Sequence, residues 1–406
     1  MILLIIVLTI PFLIWGPFFP DLIISLSALV FLVYVIRKKK LYYFNNKPLI
    51  IFFIFCAYCI LVSIFVAKDF MLSFESSLFY FRIGLFSCLI WHLLEQDKKI
   101  LNYFYYALVI SFSALIADGY IQFFKGTNIL GFPKAGDRIS SFFGDQLIMG
   151  SYLSRLFPLL FALFIVKEKK KLELYFMTLF FLLLSGIILI SGERAAFFFY
   201  CLSFLFIVIF IKGYKKFRIL LSVGSLIIII IIISSFGQVK NRMLSKPAST
   251  ITKSIFTPAH DSLIRTAYNM FLDKPLVGHG PKMFRVICKD EKYATGVTPC
   301  MMHPHNFYVQ LLAETGIIGF SFLFSVFVYV LYCAYRQFKS IILKEREYLT
   351  NYQVCLLAGI LITVWPLTTN GNFFNNWLMI VYSLPVGFYL HSIYGKNKEE
   401  VYKNQN

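Results

Sequence analysis

Long apolar runs alternate with short polar connections along this chain. Twelve runs are long enough to cross a bilayer as helices: residues 2–17, 20–36, 48–66, 78–94, 101–123, 149–166, 172–190, 195–211, 219–236, 308–335, 352–369 and 374–394. A helix rising about 1.5 Å per residue needs roughly 20 apolar residues to span the hydrocarbon core. The pattern therefore predicts an all-α polytopic membrane protein of about twelve transmembrane helices. Helices one to nine occupy 1–236, an inserted polar segment occupies 237–307, helices ten to twelve occupy 308–394, and a tail follows over 395–406. The first run has no basic lead-in and continues through Pro17 and Pro20 into the second, which predicts retained helices rather than a cleaved leader.

Composition agrees: 59% of the 406 residues are hydrophobic and 15% charged, and the mean hydropathy is +0.74. A soluble domain carries more charge. The net charge of +19 would suit a nucleic-acid partner, but the basic residues lie in short clusters between apolar runs. Such clusters are a topology signal, and no nucleic-acid partner is expected. The connections 37–47, 95–100, 167–171, 212–218, 336–351 and the tail from 395 hold 22 lysines and arginines. The alternate set, 18–19, 67–77, 124–148, 191–194 and 370–373, holds 5. This asymmetry predicts both termini in the cytoplasm and segment 237–307 outside. That segment is too short for a large core of its own and is expected to pack on the membrane domain as a cap.

The inserted segment gathers the reactive side chains. Four of the six histidines are there (His260, His279, His303, His305), with ten basic residues, Lys282 among them, against four acidic ones. A basic pocket suits a phosphate-bearing ligand; lipid headgroups would meet the same side chains. His303-Pro304-His305-Asn306 stands where the segment ends and an apolar run begins. If the chain is helical from Asn306 onward, His305, Gly316 and Gly319 share a face, and the glycines admit a neighbouring helix or a ligand chain. A neutral imidazole there can take a proton from a hydroxyl near pH 7. Asn306 and Gln310, one turn apart, would orient it or a ligand, whereas Glu314 falls on the opposite side. No carboxylate or cysteine completes a metal site with His303 and His305, so neither metal nor cofactor is expected. Residues 261–272 read as an amphipathic helix capped by Asp261 and ended by Pro275, Gly278 and Gly280. Its Arg265 either grips phosphate oxygens bidentately or pairs with Asp261 at i,i+4. Arg194, in Ser191-Gly192-Glu193-Arg194 at the junction of two runs, snorkels, pairs or functions. Arg138 lies in the second-longest external loop.

His305-Asn306, nine residues, then Gly316-x-x-Gly319 resembles the signature of the bacterial O-antigen ligase family, part of a wider O-antigen ligase/polymerase superfamily of membrane glycosyltransferases. The run from Arg265 to Gly280 is similar to that superfamily's arginine followed by Asp-x-Pro-Leu-x-Gly-x-Gly. The family also places an arginine at the junction occupied by Arg194. The stretch from Arg138 is similar to its Arg-x-x-Gly-x-Phe pattern, with Ser141 where glycine is common. The resemblance implies a GT-C-like architecture and transfer of a preassembled glycan from undecaprenyl diphosphate to lipid A–core, on the periplasmic face of the bacterial inner membrane. It implies an inverting, metal-independent reaction in which Arg194 and Arg265 hold the diphosphate and His305 deprotonates the acceptor. Arg138, Lys282, His303, Asn306 and Gln310 would contact substrate, and Gly316 and Gly319 would line a groove for the polyprenyl tail. An O-antigen polymerase would use the same donor with a second lipid-linked glycan as acceptor, and a protein O-oligosaccharyltransferase would use a protein. A transporter of the same lipid would instead show paired discontinuous helices or midplane charges.

Six of the eight cysteines fall in apolar runs, where they act as small hydrophobes. Cys288 and Cys300 fall outside them. An oxidising compartment would permit a bridge closing a short loop before His303; the other outcome is two free thiols too far apart to join.

Overall fold

The computed structural model describes residues 2–167, 171–245 and 256–398. Parts of the basic cluster at 167–171, of the inserted segment and of the tail therefore lie outside the described residues. Every predicted run contains a helix within the described residues, and these contain no β-strand, only two isolated bridges in the loop around 127–138. Among the described residues nine helices are long and apolar enough to cross a membrane, and three further apolar helices, Ile5–Trp15, Arg194–Phe210 and Asn351–Thr363, are shorter. The chain is a multi-pass α-helical membrane protein.

The departures from the predicted bounds have local causes. The run at 352–369 is helical only over Asn351–Thr363. Pro366 lacks an N–H and disfavours the helical conformation at Trp365, so the helix stops and 364–375 becomes a loop. The run at 78–94 is preceded by a helix, Phe70–Leu78, whose first turn is capped by Asp69 Oδ1 accepting from the Leu72 N–H at 3.1 Å. The run at 308–335 extends over Phe307–Ile342 but is interrupted at Gly316, whose φ of 63° and ψ of −167° are not helical.

Helix Met149–Val166 stands at the centre, packed on Asn351–Thr363, Arg194–Phe210, Asn376–Tyr394 and Lys99–Lys125. Helices Phe18–Arg37 and Lys215–Ser235 lie at the periphery and expose leucines, isoleucines and valines along much of their length. On a soluble protein such faces would aggregate; in a bilayer they meet acyl chains. The lysine-rich connections gather at one end of the bundle. There Tyr42 and Tyr43 donate to Glu95, the Lys396 N–H also reaches Glu95, and Lys212 pairs with Glu347 at 3.0 Å. The loops carrying Arg138, Gly192, His260, His305 and Asn370 meet at the other end.

The inserted segment is seated on the long helix at its break. Helix Pro258–Asp273 and the short turn Phe284–Ile287 form a small core of Leu263, Ala267, Met270, Phe284, Ile287 and Tyr293 against Ala313. At Gly316 the i→i+4 ladder of the long helix is lost, and the freed groups find partners elsewhere. The carbonyl of Ala313 accepts from the His279 N–H (3.0 Å) and that of Glu314 from the Gly280 N–H (2.7 Å). The carbonyl of Thr315 accepts from the Tyr58 hydroxyl at 2.7 Å, and the Ile317 N–H donates to Pro275 O at 2.9 Å. Buried backbone groups need such replacements because the bilayer supplies none.

This geometry corrects the shared face expected for His305, Gly316 and Gly319. His305 precedes the helix, and the break at Gly316 resets the register. What approaches Gly316 is the protein's own main chain: a Cβ there would stand 2.2 Å from Leu276 O, and one on Gly278 would stand 2.4 Å from the Glu314 carbonyl carbon. A Cβ on Gly319 would meet Thr315 Oγ1 at 2.0 Å. Neither Gly316 nor Gly319 opens on a groove for a lipid tail; both are buried. Gly316→Ala combines a left-handed φ with a backbone clash, and we expect it to destabilise the fold by on the order of 3 kcal/mol. Thermal unfolding of the purified variant in detergent checks this; an unchanged Tm would mean the joint is not tight.

Candidate functional site

His305 is held from two sides. The next residue, Asn306, caps the long helix: its Oδ1 accepts from the Tyr308 and Val309 N–H groups at 3.0 and 3.2 Å, and its Nδ2 donates to Pro366 O at 2.8 Å. From across the loop, the Asn370 N–H donates to His305 O at 2.8 Å. Between these anchors His305 adopts φ +58°, a left-handed conformation that a non-glycine residue keeps only where its surroundings impose it. Asn370 is itself fixed. Its Oδ1 accepts from Arg155 Nη2 at 2.8 Å, and that guanidinium lies between the rings of Phe199 and Tyr382, 4.3 Å from each centroid.

Three imidazoles meet at this point. The His305 ring centroid lies 4.1 Å from that of His303 and 5.2 Å, edge-on, from that of His260. His260 belongs to the first turn of helix Pro258–Asp273, which Thr257 caps, and its Nδ1 is 2.7 Å from Thr257 Oγ1. Burial, reinforced by His305 and Arg285, pushes His303 down to about 3. Burial first and His260 second also lower His305; burial and then Arg194 lower His260. The shifts favour the neutral imidazole in all three near pH 7, and His303 is the weakest base of the set. Among the described residues no group of three or more His, Cys, Asp or Glu is arranged to hold a metal ion.

Arg194 opens helix Arg194–Phe210 and has no hydrogen bond or ion pair among the described residues. Its sequence neighbour Glu193 is turned elsewhere: it accepts from the Gly150 N–H at 2.7 Å and from Ser151 Oγ at 2.6 Å, tying the start of helix Met149–Val166 to this junction. Arg138 also reaches the junction. Its Cγ would stand 3.1 Å from a Cβ on Gly192, and its Nη2 donates to Leu147 O at 2.7 Å. Burial lowers the Arg138 pKa and nearby Arg242 adds to the effect, while Glu193 opposes it.

The other expected residues are distributed differently. Arg265 is exposed and forms the i,i+4 pair with Asp261, Nε to Oδ2 at 2.8 Å; no contact joins it to the histidines among the described residues. Lys282 is half-buried at φ +61°, its pKa lowered by burial and then by Arg285. Gln310 is fully buried. Its Nε2 donates to Glu314 Oε2 and to Asn372 Oδ1, both at 2.9 Å, and its Oε1 accepts from the Phe373 N–H. Asn306 and Gln310 thus spend their polar groups on loop 364–375 and on the long helix itself, and act on His305 only by fixing its frame. The sequence marks His260 only as one of four histidines in the inserted segment, and gives Arg242, Arg155 and Asn370 no place in the site. Arg155 alone carried a signal, a charge inside an apolar run; the others are remote in sequence from what they touch.

Cys288 and Cys300 are disulfide-bonded with Cα atoms 5.1 Å apart, closing the loop next to the small core that carries His260's helix. The six remaining cysteines are free thiols.

Residues 179–324 match the family model described as O-antigen ligase. The match covers Arg194, Arg242, Arg265, Lys282 and the whole His303–Gly319 stretch, and bears out the family resemblance. It supports a glycosyltransferase-like enzyme of the O-antigen ligase/polymerase type in general terms. No curated protein matches the chain.

Two measurements test this geometry. Thiol labelling of unfolded, unreduced protein should mark the six free cysteines, and reduction should expose the remaining pair; full labelling before reduction would exclude the bridge. An imidazole whose pKa falls on folding leaves the unfolded chain the better proton binder, so stability is lost as pH drops below the ordinary 6.5 toward 3. The Tm should therefore fall between pH 6.5 and 5, and His303→Gln should make that fall smaller. Identical pH sensitivity in the variant would show that His303 is not linked to folding.

Proposed function

We propose, from the O-antigen ligase domain at residues 179–324, that this protein is a ligase-like glycosyltransferase. It transfers a preassembled glycan from undecaprenyl diphosphate to lipid A–core on the periplasmic face of the bacterial inner membrane. The observation that carries this reading is the juxtaposition of a conformationally fixed, neutral His305 with the guanidinium of Arg194, which has no partner among the described residues, linked through His260.

In this reading the acceptor hydroxyl oxygen attacks the anomeric carbon as His305 removes its proton. The bond from that carbon to the diphosphate oxygen breaks, its electron pair leaves with the diphosphate, and a single displacement inverts the anomeric centre. Arg194, with Arg265 at the edge of the site, stabilises the charge that develops on the leaving group, as a divalent cation would elsewhere. Arg265 would have to exchange Asp261 for the phosphate. His303 and Lys282 flank the acceptor side. The polyprenyl tail lies against the apolar outer faces of the bundle rather than at Gly316. The charge asymmetry of the connections and the Cys288–Cys300 bridge both favour an outside position for this end.

His305→Ala should abolish transfer while the protein still inserts. Cells carrying the variant should accumulate lipid-linked polymer and leave lipid A–core bare. Near-normal transfer by purified His305→Ala in liposomes would remove the histidine from the mechanism, and core bearing one repeat in cells lacking the protein would identify a polymerase instead.

A further inference from the structure

The turn Ser191-Gly192-Glu193-Arg194 assembles more cations than the reading above uses. Gly192 sits at φ +72°, and a Cβ there would stand 3.1 Å from Arg138 Cγ on one side and 3.6 Å from Arg242 Cγ on the other. Two arginine stems thus flank a turn that only glycine leaves open. The Arg242 Nε–H donates to Gly192 O at 3.2 Å, which fixes the base of its guanidinium; neither Nη has a partner among the described residues. Arg138 spends Nη2 on Leu147 O, and its Nε is buried with no partner. Arg194 follows two residues later without any partner among the described residues.

Like charges held this close repel, and the low dielectric beside a membrane strengthens the repulsion. Glu193, the acid in the turn, has both oxygens committed to Gly150 and Ser151. Glu193 acts on Arg138 only through space, and a cluster of forked donors with no salt bridge among the described residues is matched by a ligand carrying several phosphate oxygens. Arg194 also lies near enough to lower the pKa of His260, whose ring contacts His305. The cation cluster and the proton acceptor are therefore neighbours, as a leaving phosphate and an attacked carbon must be.

We propose that Arg242 completes a three-guanidinium cradle with Arg138 and Arg194 that binds the diphosphate of a lipid-linked substrate. The proposal rests on the glycosyltransferase reading for the identity of the lipid; the phosphate chemistry stands on the cradle itself. A membrane phospholipid headgroup offers the same chemistry with a single phosphate, and three forks exceed what it can satisfy.

The test uses the purified full chain in detergent, titrated with inorganic pyrophosphate and followed by calorimetry. Arg242→Ala and Arg138→Ala should each weaken binding about tenfold, the loss expected for one charge-assisted contact. Lys339→Ala, at the opposite end of the bundle, should bind like the parent. Arg242→Lys, which keeps the charge without the fork, serves where the alanine variant unfolds, and should also weaken binding. Unchanged pyrophosphate affinity in Arg242→Lys and Arg242→Ala would overturn the cradle while leaving Arg194 and His305 untouched. Absence of binding to the parent protein would overturn it as well. Displacement of pyrophosphate by equimolar phosphatidylglycerol would assign the site to a headgroup and overturn the diphosphate assignment. Arg242-dependent binding in a protein that transfers no glycan would uphold the cradle and sink the transferase reading instead.

Discussion

The break in the long helix at Gly316 is the joint on which the functional end is built. A continuous helix would pair the carbonyls of Ala313, Glu314 and Thr315 with its own next turn. Here they are turned outward to His279, Gly280 and Tyr58. The loop from Pro275 to Gly280 becomes the missing turn of another element's helix, and its glycine and that of the helix meet backbone to backbone. The two sequence stretches that resemble the ligase signature are thus the two halves of one hydrogen-bonded joint. Any change that closes the helix would leave the loop's amides without partners in a setting where water cannot replace them.

A second frame holds His305 from the other side. Loop 364–375 is bound by Asn306, Gln310 and the main chain of His305, and is anchored to the bundle through Asn370 and Arg155. The side chains expected to touch a ligand are largely occupied in building this frame. The imidazoles and the arginines at Gly192 remain as groups with capacity to spare. That division is physically sensible: a base must be held still, and buried amides with complete hydrogen bonding hold it better than a flexible loop would.

The helical runs were legible because unbroken apolar composition is itself the membrane signal. Their interruptions were less so. Pro366 announces the end of one helix, but nothing in Thr315-Gly316-Ile317 separates a glycine that breaks a helix from one that packs within it. The i,i+4 pair of Asp261 and Arg265 could be read from spacing, and it forms. The position of Cys288 and Cys300 outside the apolar runs permits a bridge without deciding it, and the bridge forms. Spacing alone leaves Asn306 and Gln310 to orient either His305 or a ligand, because their partners at 366–373 are some sixty residues away. Arg242 was one basic residue among ten in its segment, and only folding brings it to Gly192.

Arg155 carries a consequence for how the chain is made. Its helix lies at the centre of the bundle, and its guanidinium is almost completely buried, with Nη1 lacking a hydrogen-bond partner among the described residues. Its polar partner, Asn370, lies 215 residues later, and one of the two rings enclosing it belongs to Tyr382. While a ribosome is still translating the middle of the chain, that cation has the Phe199 ring but neither its hydrogen-bond acceptor nor its second ring, and a guanidinium left short of partners within a membrane helix is costly. The centre of the bundle therefore cannot reach its final packing until the C-terminal helices have been synthesised and inserted. A chain that loses its last two helices would leave this guanidinium without the acceptor and the ring that complete its enclosure.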